Sequence, residues 1–151
     1  MSRSKPTCVL VPGTWHPPNA YESFTAHLNK AGYPTFITNL PSLNAKEPLQ
    51  CTCSLDAESI RQQLLPLIEK DGKEIVMLSH SYGGMPGGGA AYGLSKAFRT
   101  QQGDKGGLIG LVYMSSFIVP NGESLKSYLG GGNAPYIQEN KVRTQSCGLI
   151  L

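Results

Sequence analysis

The stretch EIVMLSHSYGG, Glu74 to Gly84, runs from a block of apolar residues through one serine into glycines. An unbroken apolar block of this length marks a strand buried on both faces, and the small residues beyond it, GGMPGGGAAYG, open a helix. A serine at the tip of a tight strand–turn–helix is forced into a strained backbone conformation, which lifts its hydroxyl out of the carboxyl edge of the sheet. Close strand–helix packing asks for small residues two positions to either side, and Ser79 and Gly83 stand there, so the motif reads small-x-Ser-x-small. The helix that follows aims its positive end at Ser81, and the Tyr82 N–H is placed to donate to a developing oxyanion.

Working outward, Thr7–Val11, Thr35–Thr38 and Leu108–Met114 are apolar runs of the same kind. Tyr21, Phe24 and Leu28 share one helical face, stopped by Ala31-Gly32 and Pro34. Ile60, Leu64, Leu67 and Ile68 form a second stripe. Ser54 is its expected N-cap, Asp56 and Glu58 complement the dipole in its first turn, and Pro66 should bend or shorten it. A third helix is expected from about Tyr82 to Phe98 despite six glycines, which are tolerable where a helix lies close against the sheet or a neighbour. Strand and helix alternate throughout. That order predicts an α/β protein with three α/β/α layers, right-handed crossovers and a mostly parallel sheet of about four strands. From about Val119 the pattern fades into loop with at most one short helix.

A chain of 151 residues fits one compact domain with its own core. The formal charge is +3 with Lys and Arg scattered, which points to no nucleic-acid and no membrane partner. Neither a bilayer-spanning run nor a secretory signal is visible in MSRSKPTCVLVPG, so a soluble, cytoplasmic protein is expected. Cys8 suits a buried strand. Cys51 and Cys53 lack a matching Cys or His pair and read as free thiols rather than a metal site, and Cys147 sits one position too far from the end for a prenylation box. The glycine run is not a phosphate loop, since no Gly-Lys-Ser/Thr follows, and a dinucleotide fingerprint fails at Tyr92.

A second oxyanion donor is expected from the loop after the first strand, VLVPGTWH, where Gly13 gives the turn its freedom and Thr14 offers its N–H. Gly13, Trp15 and His16 would line a pocket there. With these residues in place, VLVPGTWHPPNAYESFTAHLNKAGYPTFITNLPS, EIVMLSHSYGGMPGG and GGLIGLVYMSSFIVPNGESL together resemble the α/β-hydrolase superfamily. The likeness is greatest to its esterase and hydroxynitrile-lyase-like branch and to fungal α/β-hydrolase-1 domain proteins, over about Thr7 to Tyr136. It implies a partial α/β-hydrolase fold, Ser81 as nucleophile, Thr14 and Tyr82 as oxyanion hole, no cofactor, and an ester or similar small carbonyl compound as substrate. Pro12-Gly13 stands where the family often has His-Gly.

The superfamily orders its triad as serine, acid, histidine. Here the histidines are His16, His27 and His80, and none follows Ser81. His80 reads as a spacer of the turn and His27 as solvated; His16 is expected to bond a loop carbonyl, with a surrogate base as the alternative. Asp104, Glu123 and Glu139 are the acids available, and none sits in a recognisable motif. The expectation is therefore the N-terminal part of a hydrolase domain over residues 1–136, with an irregular tail over 137–151. It would be a serine hydrolase that is weak or inactive as encoded. The alternative is a non-catalytic protein that binds a small apolar ligand, or that self-associates through the open sheet edge at Leu108–Met114.

Overall fold

The computed structural model describes residues 4–43, 45, 51–120 and 122–132. The boundary expected near residue 136, Glu139 and Cys147 lie outside the described residues. Four strands form one parallel sheet: β1 (Thr7–Val11), β2 (Thr35–Ile37), β3 (Glu74–His80) and β4 (Gly107–Met114), in the order β2-β1-β3-β4. The helices are α1 (Glu22–Lys30), α2 (Cys53–Leu65), α3 (Gly84–Ala90), α4 (Lys96–Gln101) and α5 (Leu125–Tyr128).

The strand order decides the layers. From β1 the chain steps one way to β2, then returns past β1 to β3 and on to β4. Right-handed crossovers therefore put α1 on one face and α2 and α3 on the other, where α2 and α3 pack side by side. On that face Val9, Val11, Ile75 and Met77 of the sheet meet Ile60 and Leu64 of α2 and the neighbouring Ile68. All three helical-side residues are fully buried, and each such side chain stabilises the fold by about 1.5–3 kcal/mol. Side chains alternate along a strand, so Cys8, Leu10 and Leu78, also buried, belong to the α1 face.

Several local expectations change. Thr52, not Ser54, caps α2, its hydroxyl accepting from the Leu55 N–H at 3.2 Å. Asp56 stands in the first turn of α2, as expected, and is completely buried there. Phe24 is exposed and Thr25 takes the inward position on α1. Pro66, which has no N–H, ends α2, and the chain continues as one π turn over Pro66–Lys70, closed by Asp71 N–H donating to the Pro66 carbonyl at 3.2 Å.

The expected helix from Tyr82 to Phe98 is broken into a 3-10 turn (Ser81–Gly83), α3 and α4. Gly93 at φ 71° reverses the chain, and the Ser95 hydroxyl then caps α4 by accepting from Phe98 N–H at 3.2 Å. Arg61 of α2 donates to the Ala90 and Tyr92 carbonyls that α3 leaves unpaired at its end. Among the described residues β4 is an edge strand, with Ile109, Leu111 and Val112 exposed. Its register with β3 slips between Ile75 and Val76, which pair with Leu108 and Gly110 and leave Ile109 as a bulge. No helix among the described residues is long and apolar enough to cross a membrane.

Candidate active site

In an open parallel sheet the crevice for a ligand forms at the carboxyl ends of the two strands between which the chain reverses direction. Here those strands are β1 and β3. β1 ends at Val11, paired with Ser79, and the loop Pro12–His16 leaves it; β3 ends at His80, and Ser81 follows at once. Topology thus brings the two sequence motifs to one place.

Ser81 has φ 52°, the left-handed region that an L residue occupies only at a cost of order 1 kcal/mol or more. Trp15 (φ 61°) and Ser115 (φ 44°) are the other non-glycine residues with positive φ among those described. All three follow the carboxyl ends of the adjacent strands β1, β3 and β4, so the strain is concentrated along one edge. The kink at Ser81 is held from its far side: the Ser116 hydroxyl and the Phe117 N–H donate to the Ser81 carbonyl at 2.6 and 3.2 Å.

Glycines set how closely the parts approach. A Cβ on Gly83 would lie 2.6 Å from the Val11 carbonyl oxygen and 2.7 Å from that of Pro12. The tight neighbour of this position is therefore the end of β1, not β3. A Cβ on Gly13 would stand 2.9 Å from both Ser81 Cβ and His80 Nδ1, so the loop after β1 lies directly against the serine turn. Neither the Thr14 amide nor the Tyr82 amide donates to an acceptor among the described residues.

Each imidazole is turned to another partner. His16 Nδ1 bonds the Thr14 carbonyl at 2.8 Å, as expected for a loop residue, and His27 Nδ1 the Ser23 carbonyl at 2.6 Å. His80 Nδ1 meets the Tyr21 hydroxyl at 2.7 Å, and its ring stands edge-on to His16 with centroids 5.3 Å apart. Burial of the ring, and then the nearby His16, hold the His80 imidazole below its ordinary value of 6.5, so it is neutral near pH 7. No imidazole nitrogen among the described residues hydrogen-bonds Ser81.

Trp15 is 66% exposed and lies outside the core. The Tyr82 side chain is buried; its hydroxyl donates to Asp56 Oδ2 at 2.7 Å. Asp56 also accepts from the Ser42 N–H at 3.0 Å and from the Ser42 hydroxyl at 2.5 Å. Burial above all, with Cys53 and Asp56 adding, drives the Tyr82 phenol far above the ordinary tyrosine range, so it stays a donor. Of the carboxylates weighed as triad acid, Asp104 pairs with Arg99 at 3.7 Å before β4, at the opposite end of the sheet. Glu123 borders a cleft of about 1070 Å³ that Cys53, Met85, Tyr113 and Ile118 also line and to which Ser81 and Thr14 do not contribute. Cys8, Cys51 and Cys53 form no disulfide, and no cluster with metal-ligating potential occurs, among the described residues.

The family profile described as the alpha/beta hydrolase family matches residues 8–143. The alpha/beta hydrolase nvfD of Aspergillus novofumigatus is 34% identical over 125 residues, covering 83% of this chain and 48% of that protein. The probable hydrolase R7 of a Phoma species is 35% identical over 129 residues, covering 85% and 49%. Among solved structures, an extracellular alpha/beta-hydrolase from a Paenibacillus species, described as sharing structural and functional homology with tobacco salicylic acid binding protein 2, superposes with a TM-score of 0.61 at 21% identity. That superposition covers 80% of this chain and 45% of the other, and at such identity it speaks to the fold. The chain spans about half the length of the curated relatives it matches.

Proposed function

The chain belongs to the alpha/beta hydrolase family, and from that premise we propose that it carries the nucleophile and oxyanion hole of a serine hydrolase for esters or similar small carbonyl compounds. The observation that carries the reading is the kinked Ser81 at the point where the chain reverses between β1 and β3, beside two amides with no acceptor among the described residues. Ser81 Oγ attacks the substrate carbonyl carbon, and the Thr14 and Tyr82 N–H groups hold the oxygen as it becomes negative. The carbon–leaving-group bond then breaks, the acyl group stays on Ser81, and water releases it as the acid.

None of the three imidazoles hydrogen-bonds Ser81 among the described residues, and in this reading the proton of the Ser81 hydroxyl leaves to water. Catalysis without the base retains only about 10³–10⁴-fold of acceleration from the oxyanion hole and binding. We therefore expect weak turnover. The test is reaction with a fluorophosphonate probe, read by intact mass and peptide mapping. Slow, stoichiometric labelling at Ser81 that disappears in Ser81→Ala supports the reading. Labelling elsewhere, or none, counts against it, and labelling as fast as an ordinary esterase removes the claim of weakness.

A second reading is favoured by β4, whose exposed Ile109, Leu111 and Val112 lie on an edge left open among the described residues. An unpaired apolar edge recruits another strand, and a second copy of the chain is the partner this predicts. Sedimentation over a range of concentrations decides it: a strict monomer ends this reading.

A further inference from the structure

We infer that Tyr21 is a positioning residue: its phenol oxygen pins the Gly13–Thr14 loop to the serine turn, so that the Thr14 amide is held over Ser81. The inference rests on the serine-hydrolase reading for its catalytic consequence, though not for the contact itself.

Tyr21 closes the 3-10 turn before α1 and is 9% exposed. Its oxygen accepts from the Gly13 N–H at 2.9 Å and shares a second hydrogen bond with His80 Nδ1 at 2.7 Å. One atom thus ties the residue before an oxyanion donor to the residue before the nucleophile. In the proposed arrangement the phenol oxygen accepts from the Gly13 N–H while its proton points at Nδ1, and the proton of the neutral ring sits on Nε2.

The loop needs such a tie. Trp15 at φ 61° is a bulky residue in the left-handed region, and one loop bond, His16 N–H to the Gly13 carbonyl, is long at 3.3 Å. Without Tyr21 the Gly13 N–H would lose its acceptor and the strained turn could relax away from Ser81. An oxyanion donor acts only within about 2.7–3.1 Å of the reacting oxygen, and a displacement of about 1 Å in a reacting site costs on the order of 100-fold in rate.

The experiment compares the full wild-type chain with Tyr21→Phe, which removes the bridging oxygen and keeps the ring. Hydrogen exchange of the peptide spanning residues 12–16 reads the positioning, and fluorophosphonate labelling of Ser81 reads its consequence. In labelling, Oγ–P forms as P–F breaks, with fluoride and the serine proton leaving to solvent. Tyr21→Phe should accelerate exchange of that peptide by about 10-fold and slow the saturating labelling rate by about 10-fold, because one donor is displaced rather than removed. The half-saturating probe concentration should change little. His80→Ala should reproduce part of both effects, and His80→Asn, whose carboxamide oxygen can replace Nδ1 as the phenol's acceptor, should recover most of that loss.

Unchanged exchange in Tyr21→Phe overturns the inference, as does faster exchange with an unaltered labelling rate. The same slowing in wild-type protein destabilised equally by urea also overturns it, because the effect would then follow stability rather than position. If Tyr21→Phe does not fold, the His80 pair carries the test alone, and equal behaviour of the Ala and Asn variants overturns the inference. Wild-type protein that never labels but shows faster exchange in Tyr21→Phe refutes the hydrolase reading and leaves the pin standing.

Discussion

The phenol of Tyr82 donates to the carboxyl of Asp56 at 2.7 Å, joining the residue after the nucleophile to the first turn of α2 across 26 positions of sequence. Asp56 is wholly buried and bonds Ser42 as well, so the same carboxyl ties the loop after β2 to the serine turn. The backbone of Tyr82 offers an N–H to the site while its side chain anchors the turn from behind. Positioning and stability are therefore coupled at this residue.

Tyr82→Phe leaves Asp56 one donor short in a place water does not reach, and the loss should be about 1–3 kcal/mol. Urea unfolding should show a lower midpoint with an unchanged slope. A change under about 0.5 kcal/mol, within the range of an ordinary surface substitution, would mean that the pair contributes nothing net.

Gly83→Ala places a methyl carbon 2.6 Å from the Val11 carbonyl oxygen, and Val11 is held by its pairing with Ser79. The turn rather than the strand must yield, at about 1–3 kcal/mol. Ser81 labelling should fall by an order of magnitude or more, because the Tyr82 N–H shifts with the turn. Labelling and a melting temperature equal to those of the wild type would refute the close approach.

Ser81→Gly removes the nucleophile and also relieves a left-handed backbone at φ 52°. The variant should be unreactive yet melt about 2–4 °C higher, the shift that about 1 kcal/mol produces in a domain of this size. Calorimetry of the Gly and Ala variants isolates the backbone effect, since alanine loses the hydroxyl without relieving the strain. Equal melting temperatures for the two would argue that the kink stores no strain.

Acid should weaken the fold through His80. Burial and His16 lower the folded-state value of this imidazole below 6.5, so between the two values the unfolded chain binds more protons and stability rises with pH. The contribution is complete above about pH 6.5, the unfolded value, and is lost as pH falls toward the lowered folded value. His80→Asn should flatten that part of the pH–melting curve. A curve of the same shape in the variant would assign the loss to other groups.

Leu111→Lys puts a charge on the open edge of the sheet, where Leu111 is 42% exposed. If β4 pairs with a second copy, the variant should sediment as a smaller species than the wild type at equal concentration. Identical sedimentation of an associating wild type and the variant would place the contact elsewhere.

Much of this molecule was legible in its sequence because the relevant signals are local. Apolar runs placed all four strands within a few residues, and a small-x-Ser-x-small pattern at the end of one of them located Ser81. Local signals also misled. The expectation of one helix after the serine turn joined residues 82–98, although Gly93 and the Ser95 cap divide it, and the first-turn position of Asp56 carried no sign of its burial.

What the sequence determined by itself was the alternation of strand and helix and the identity of the kinked serine, since periodicity and turn chemistry act over a few neighbouring residues. Only the tertiary structure decided that the Gly13–Thr14 loop lies against Ser81, that Tyr21 bridges Gly13 to His80, and that Asp56 is buried beneath Tyr82. The Tyr21–His80 contact spans 59 positions. Such contacts follow from the order in which strands assemble and from what each face of the sheet must bury, neither of which a short window of residues contains.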